Sequence, residues 1–256
     1  MEFTNVLLEK KNQIGVLTIN HPPANAVNLA TLEDFNRALD ELENDKDVRV
    51  VIITGAGERG FSAGFDVSDA ANSDKCGPLG QQTWTRVDLF TKPVIAAING
   101  FAYGGGCELA LACHFRIIVD QPKPLIGLTE LNLGIIPGWG GTQRMTRLLG
   151  RGKALDLILF SKRLTAREAF EIGLVDKVSA PGEVMKDALE MAAILAARPP
   201  IAVSCVLKAI CSLLYKGMEE GLRIEQEGVK KVAATQDARE GFTAFFEKRV
   251  PVFKGE

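Results

Sequence analysis

Two histidines and five cysteines are all that this 256-residue sequence offers of the side chains that most simply bind metals or form bridges. The cysteines, Cys76, Cys107, Cys113, Cys205 and Cys211, are odd in number and contain no CxxC pair. That pattern argues against a disulfide framework and against a zinc site, and it fits small buried thiols in a reducing interior. Excess charge is also lacking. Thirty Lys and Arg against 32 Asp and Glu leave a formal charge of −2, so no global field recruits nucleic acid or an anionic membrane. Any anion must be bound locally. No apolar run approaches bilayer-spanning length, and the opening MEFTNVLLEKKNQ has neither a signal-peptide nor an Arg-rich transit pattern. A cytoplasmic location is expected.

What the sequence does contain is ordinary globular material with one unusual stretch. Apolar residues make up 46% and charged residues 24%, enough over this length to bury a proper core without staples. The stretch is NGFAYGGGCELAL, residues 99–111. An apolar run at 93–98 feeds the turn Gly104, Gly105, Gly106, which opens into a helix-forming segment. The first amides of a helix lack intrahelical acceptors and carry the positive end of its dipole, and glycines let a ligand oxygen come close. Such a ligand is anionic or becomes so. Glu108 follows within the first turn and faces whatever the glycine turn holds. Packing alone also explains a glycine turn, so this stretch by itself leaves both readings open.

In chain order, 6–9 and 14–19 read as a hairpin. Thr31 caps a helix with Asp34 three residues on, and Leu32, Phe35, Leu39 and Leu42 recur at helical spacing. Residues 48–54 suit a strand buried on both faces. Two motifs in residues 55–64 are decoys. Gly55, Gly57 and Gly60 spell GxGxxG, but residues 61–80 show turn chemistry and no sustained helical period where a dinucleotide fold needs a helix. Gly60 to Gly64 spell GxSxG around Ser62, but the only later histidine is His114 and no nucleophile elbow fits. Residues 81–91 read as helix. Glu130 is the only charge in residues 125–137, so burial is expected of it. Thr165 and Glu168 form a second capping box. Helix is expected at 155–160, 165–172 and 183–197, with a strand at 174–178. Arg198-Pro199-Pro200 marks a boundary, giving a repeating strand-strand-helix region, 1–197, and an all-helical tail, 198–256.

Four segments in this order resemble the crotonase, or enoyl-CoA hydratase/isomerase, superfamily: VVIITGAGERGFSAGFD, KPVIAAINGFAYGGGCELALAC, ELNLGIIPGWGGTQRMTRLLG and LTAREAFEIGLVDKV, with a tail EGFTAFFEKRVPVFKG of the same type. The resemblance implies an α/β fold, a spiral of ββα repeats binding acyl-CoA, followed by C-terminal helices that assemble a trimer or a dimer of trimers. It implies an enoyl-CoA hydratase that adds water across the 2,3-double bond of a thioester, with no cofactor because coenzyme A is part of the substrate, and with no metal. The enolate oxygen would be held by the backbone N–H groups of Ala63 and Gly105. Glu108 and Glu130 would hold the water and move protons, with like charge and desolvation pushing at least one pKa upward, and the Gly138 N–H would steady the water. Coenzyme A would lie along Ala63, Gly64, Phe65 and Asp66. Lys248, Arg249 and Lys254, from the same or a neighbouring subunit, are candidates for its 3′-phosphate.

The chain departs from the family pattern at Phe65, Ser68, His114 and Thr129. Phe65 and Trp139 are bulky where the acyl chain runs, which favours short, cyclic or aromatic acyl groups unless both merely fill core. Three other readings compete with hydration: double-bond isomerisation, hydration of a cyclic dienoyl-CoA in aromatic-acid breakdown, and a non-enzymatic RNA- or CoA-binding role. The last would use a helical stripe of Arg144, Arg147 and Arg151. The near-neutral charge and the paired acids favour hydration.

Overall fold

The computed structural model describes residues 3–256. A hairpin, β1 (Val6–Lys11) and β2 (Ile14–Ile19), leads to helix α1 (Leu29–Asn44). One order then recurs three times: long strand, short strand, helix. The first unit is β3 (Val50–Gly55), β4 (Gly60–Ser62) and α2 (Ser73–Asp88), and the second is β5 (Val94–Ile98), β6 (Phe101–Tyr103) and α3 (Gly105–Ala112). The third is β7 (Phe115–Val119), β8 (Ile126–Gly127) and, after a 3-10 turn at Glu130–Leu133, α4 (Gly141–Leu149). Helices α5 (Arg151–Leu159) and α6 (Ala166–Glu171), strand β9 (Lys177–Ser179) and helix α7 (Val184–Ala196) follow. The tail is α8 (Pro200–Lys216), α9 (Met218–Ala233) and α10 (Gln236–Glu247).

The long strands form one six-stranded sheet in the order β1-β2-β3-β5-β7-β9, parallel except for the opening hairpin. Their residues are the β-branched runs of the sequence, and every residue of β3 and β5 is buried, as expected of parallel strands covered on both faces. The short strands form a second, parallel sheet, β4-β6-β8. Each unit thus contributes one strand to each sheet before its helix closes the turn of the spiral.

Local chemistry places several elements differently from the sequence reading. The N-cap of α1 is Asn28, whose side chain accepts the Thr31 N–H at 2.9 Å. Asp34, expected to complete a box with Thr31, instead accepts the N–H groups of Thr4 and Asn5 at 2.6 and 2.8 Å and ties down the N-terminal segment. The box at Thr165 and Glu168 forms as read. Helix α2 begins eight residues earlier than expected and takes in Gly77, Pro78 and Gly80. Its buried positions, Cys76, Gly80, Thr83, Trp84 and Val87, follow the helical period, so tertiary packing overrides the local breakers. Gly104 does not follow a long strand directly, because β6 intervenes.

The arginine stripe is not a surface stripe. Gly150, at φ +79°, separates α4 from α5 and removes Arg151 from the run. Arg144 and Arg147 both pair with the buried Asp88 of α2, at 2.9 and 3.0 Å, and Tyr215 of α8 donates to the same carboxylate at 2.6 Å. This cluster fastens the helical tail to the spiral. No single helix among the described residues is long and apolar enough to cross a membrane; α7 and α8 together reach that length but meet at 105°.

Candidate active site

The second sheet brings the chemistry together. Ser62 pairs with Ala102, Ala102 with Ile126 and Tyr103 with Gly127, so the segments leaving β4, β6 and β8 emerge side by side. They carry Ala63 to Phe65, Gly104 to Glu108, and Thr129 and Glu130. Two glycines allow this closeness. A Cβ on Gly64, whose φ is +85°, would stand 2.5 Å from the Gly105 nitrogen, and one on Gly106 would stand 2.3 Å from the Ser62 carbonyl oxygen. The first loop therefore lies in backbone contact with the start of α3.

Hydrogen bonding decides which amides there are available. The Ala63 N–H donates to the Ala24 carbonyl at 3.0 Å, the Gly64 N–H to Ser62 Oγ at 3.1 Å, and the Asp66 N–H to the Val27 carbonyl at 3.0 Å. Between them the Phe65 N–H has no acceptor among the described residues. On α3, the Gly104 N–H donates to the Gly127 carbonyl at 3.0 Å, and the Gly105 N–H has no such partner. Phe65 and Gly105 both line one cavity of about 240 Å³. The expected donor at Ala63 is thus corrected: that amide is engaged within the fold, and the free one lies two residues on.

Glu108 and Glu130 line the same cavity. Glu108 is buried on the wholly buried helix α3, and its Oε1 accepts the backbone N–H groups of Trp139 and Gly141, both at 2.8 Å. Burial raises its pKa, while those two donors and the nearby Arg144 oppose the rise by favouring the carboxylate. Glu130 has no anchor: both carboxyl oxygens are buried without a hydrogen-bond partner. Its pKa is pushed up to about 7, first by burial and then by the charge of Glu108, while the nearby backbone amides of Glu130 and Thr129, outside normal hydrogen-bond geometry, oppose the rise less strongly. The two acids on one cavity therefore differ in character: burial raises the pKa of both, but two backbone donors restrain the rise at Glu108, while the charge of Glu108 adds to it at Glu130.

Aromatic and aliphatic groups complete the lining. Trp139 lies edge-on to Phe65 and Trp84, with ring centroids 6.2 and 5.6 Å away, and its indole N–H donates to the Cys76 carbonyl at 3.1 Å. Val67, Leu133, Ile135 and Ile136 line the cavity as exposed aliphatics. Among the described residues, no group of three or more His, Cys, Asp or Glu side chains could hold a metal ion.

Comparison with known proteins fits this constellation. Residues 9–256 match the family model described as enoyl-CoA hydratase/isomerase. The chain belongs to the enoyl-CoA hydratase/isomerase family. It is 43% identical to the short-chain-enoyl-CoA hydratase of Clostridium acetobutylicum, over 97% of each chain. It is 40% identical to the crotonyl-CoA hydratase of Syntrophomonas wolfei, also over 97% of each. Among solved structures, an enoyl-CoA hydratase from Bacillus anthracis superposes with a TM-score of 0.94 at 39% identity, covering 99% of this chain and 100% of that one.

Within this family fold the remaining expected residues divide. Gly138, Trp139 and Phe65 join the two glutamates, Ala63 and Gly105 at the cavity. Gly64 and Asp66 do not line it: the Gly64 carbonyl accepts from Val27, and Asp66 accepts from the amide and hydroxyl of Ser68 at 3.0 and 2.7 Å. Lys248 and Lys254 lie on the tail, outside the lining, with the Lys254 amide donating to Asp237 at 2.7 Å. Ser62 is buried and donates to the Asn25 carbonyl at 2.7 Å, as suits a structural serine. His114 accepts the Val94 N–H at 2.9 Å, and burial lowers its pKa to about 4, so it is neutral. The Trp139 and Gly141 amides that anchor Glu108 were missed from sequence; the run GWGG at 138–141 was the only signal.

Proposed function

We propose that the protein is an enoyl-CoA hydratase in which Glu108 and Glu130 perform complementary proton transfers. The thioester oxygen accepts from the Phe65 and Gly105 N–H groups, which stabilise the enolate as charge develops on that oxygen. Water held between the carboxylates gives a proton to the ionised Glu108 while its oxygen bonds to C3. The electron pair of the double bond moves toward the thioester, and protonated Glu130 gives its proton to C2. The product is a 3-hydroxyacyl-CoA. Proton exchange with solvent then restores both acids.

The observation that carries this reading is the contrast between the two glutamates on one cavity: two backbone donors at 2.8 Å on Glu108, and no hydrogen bond of normal geometry on Glu130. Bond migration alone needs one acid to move a proton; a second, differently poised acid is what addition of water requires. The names of the two bacterial relatives given above support it. Gly138, on the cavity rim beside the Glu108 anchor, is assigned to steady the water.

The reading includes no cofactor besides the coenzyme A of the substrate, a cytoplasmic location, and assembly into a trimer or dimer of trimers through the helical tail. Phe242, Phe245 and Phe246 of α10 are 70, 77 and 78% exposed on the single chain, which supports burial against another subunit. Lys248 and Lys254 then serve the 3′-phosphate of coenzyme A bound at a neighbouring site. The test is the product formed from crotonyl-CoA in D2O enriched in H2(18)O. Hydration puts one deuterium on C2 and one labelled oxygen on C3; migration of the double bond without oxygen uptake would refute it.

A further inference from the structure

The indole of Trp139 occupies a slot cut by two glycines. A Cβ on Gly80 of α2 would stand 2.3 Å from the indole Cε2, and a Cβ on Gly105 of α3 would stand 2.4 Å from its Cζ3. Glycine inside a helix is less favourable than alanine, so Gly80 is an unfavourable local choice that the close approach of the ring accounts for. The ring is fixed in four further ways. Its N–H donates to the Cys76 carbonyl at 3.1 Å, Trp84 and Phe65 meet it edge-on, and its own backbone N–H is one of the two that anchor Glu108. A side chain locked in this way does not swing aside for a ligand.

We propose that Trp139 is the floor of the acyl pocket and restricts the protein to short enoyl-CoAs, an inference that rests on the hydratase reading above. The cavity of about 240 Å³ falls below the ~300–1,000 Å³ typical of small-molecule sites. It must also contain the thioester carbon, C2, C3 and a water whose share of volume is about 30 Å³. What is left on the Trp139 side suits a short acyl group. Behind the indole lie the backbones of Gly80 and Gly105 and the fully buried ring of Trp84. A smaller side chain at position 139 gives up the volume of the ring to the cavity, and a longer chain can use it. Phe65, edge-on to the indole, narrows the same end, while the amide of Phe65 keeps its place at the thioester oxygen.

The experiment measures kcat/KM for straight 2-enoyl-CoAs of about four, six, eight and ten carbons, for the wild type, Trp139→Ala and Trp139→Phe, with saturated acyl-CoAs of the same lengths as competitive inhibitors. The wild type is expected to lose at least tenfold between the shortest and the eight-carbon substrate. In Trp139→Ala the eight-to-four-carbon ratio is expected to rise by about tenfold or more, with inhibition by the longer saturated esters tightening in parallel, and Trp139→Phe is expected to fall between. Inhibition reports the pocket whether or not chemistry is impaired. If Trp139→Ala does not fold, the same ordering is read from Trp139→Phe and Trp139→Leu. A flat wild-type profile, or a ratio that none of these substitutions moves, overturns the proposal while leaving hydration standing. Turnover of none of the esters by the wild type overturns the hydratase reading and this inference with it.

Discussion

Glu108 and Glu130 face one cavity, and only Glu108 is tethered: its Oε1 accepts two backbone N–H groups at 2.8 Å, whereas both oxygens of Glu130 are buried without a partner. The consequence is a shared proton. In the proposed mechanism hydration starts with that proton on Glu130 and dehydration with it on Glu108, so both directions use the pair holding one proton. Because burial and the charge of Glu108 push the Glu130 pKa up to about 7, kcat/KM for hydration and for the reverse reaction are both expected to decline together as pH rises through about 7. Initial rates in both directions across pH check this, and the limb near 7 should vanish from the residual rate of Glu130→Gln.

The same carboxyl also affects folding. Its pKa rises from an ordinary 4.5 to about 7 in the folded protein, so between those values the folded chain holds a proton that the unfolded chain has released. Stability from this group is therefore present at low pH and lost as pH rises from about 4.5 to about 7, by an amount on the order of 1–3 kcal/mol. Glu130→Gln removes the ionisation. The variant should melt higher than the wild type at about pH 8, and the gap should close at about pH 5, as measured by thermal denaturation at matched ionic strength.

Gly64 sets the approach of the two free amides. Alanine there would have to adopt φ +85° with its Cβ 2.5 Å from the Gly105 nitrogen and 2.7 Å from the Tyr103 carbonyl oxygen. Gly64→Ala is expected to cost about 1–3 kcal/mol of stability and to lower kcat by about 10²–10³, the loss typical of a displaced oxyanion donor. Urea melts and steady-state kinetics measure the two effects separately.

Asp88 ties three helices together through Arg144, Arg147 and Tyr215, and both Asp88 and Arg144 are buried. Asp88→Ala leaves a buried guanidinium unpaired and should cost about 3–5 kcal/mol. Breaking the exposed Lys162–Asp156 pair with Asp156→Ala should cost about 0–1 kcal/mol. Chemical denaturation of the two variants side by side measures the difference.

The parts of this site that sequence reasoning reached are those in which one residue type declares its own role. Glu108 at a glycine-opened helix start and Glu130 alone in an apolar run are of this kind, and both line the cavity. Gly105 as a helix-start amide is another. What it did not reach depends on partners distant in the chain. Ala63 is indistinguishable from Phe65 as a donor until Ala24, Ser62 and Val27 engage the amides of Ala63, Gly64 and Asp66 and leave that of Phe65 free. Asn28 caps α1 by accepting the Thr31 N–H, and Asp34 is taken up by the N-terminal segment. The first turns of α2 are invisible locally, since Gly77 and Pro78 look like breakers and Gly80 marks itself as buried only through Trp139. Strand β6, three residues long, exists because β4 and β8 flank it, and FAY alone reads as part of a turn. The arginines of α4 look like a surface stripe until Asp88 is found beneath them.

In the proposed mechanism two differently anchored glutamates add water to an enoyl thioester. The most direct measurement is the loss of enoyl absorbance on mixing crotonyl-CoA with the wild type, Glu108→Gln and Glu130→Gln, each shown to be folded. Rapid loss with the wild type and a fall of about 10²–10⁴ in each variant is the result expected. Hydration that persists undiminished in either variant would contradict the assignment of both acids.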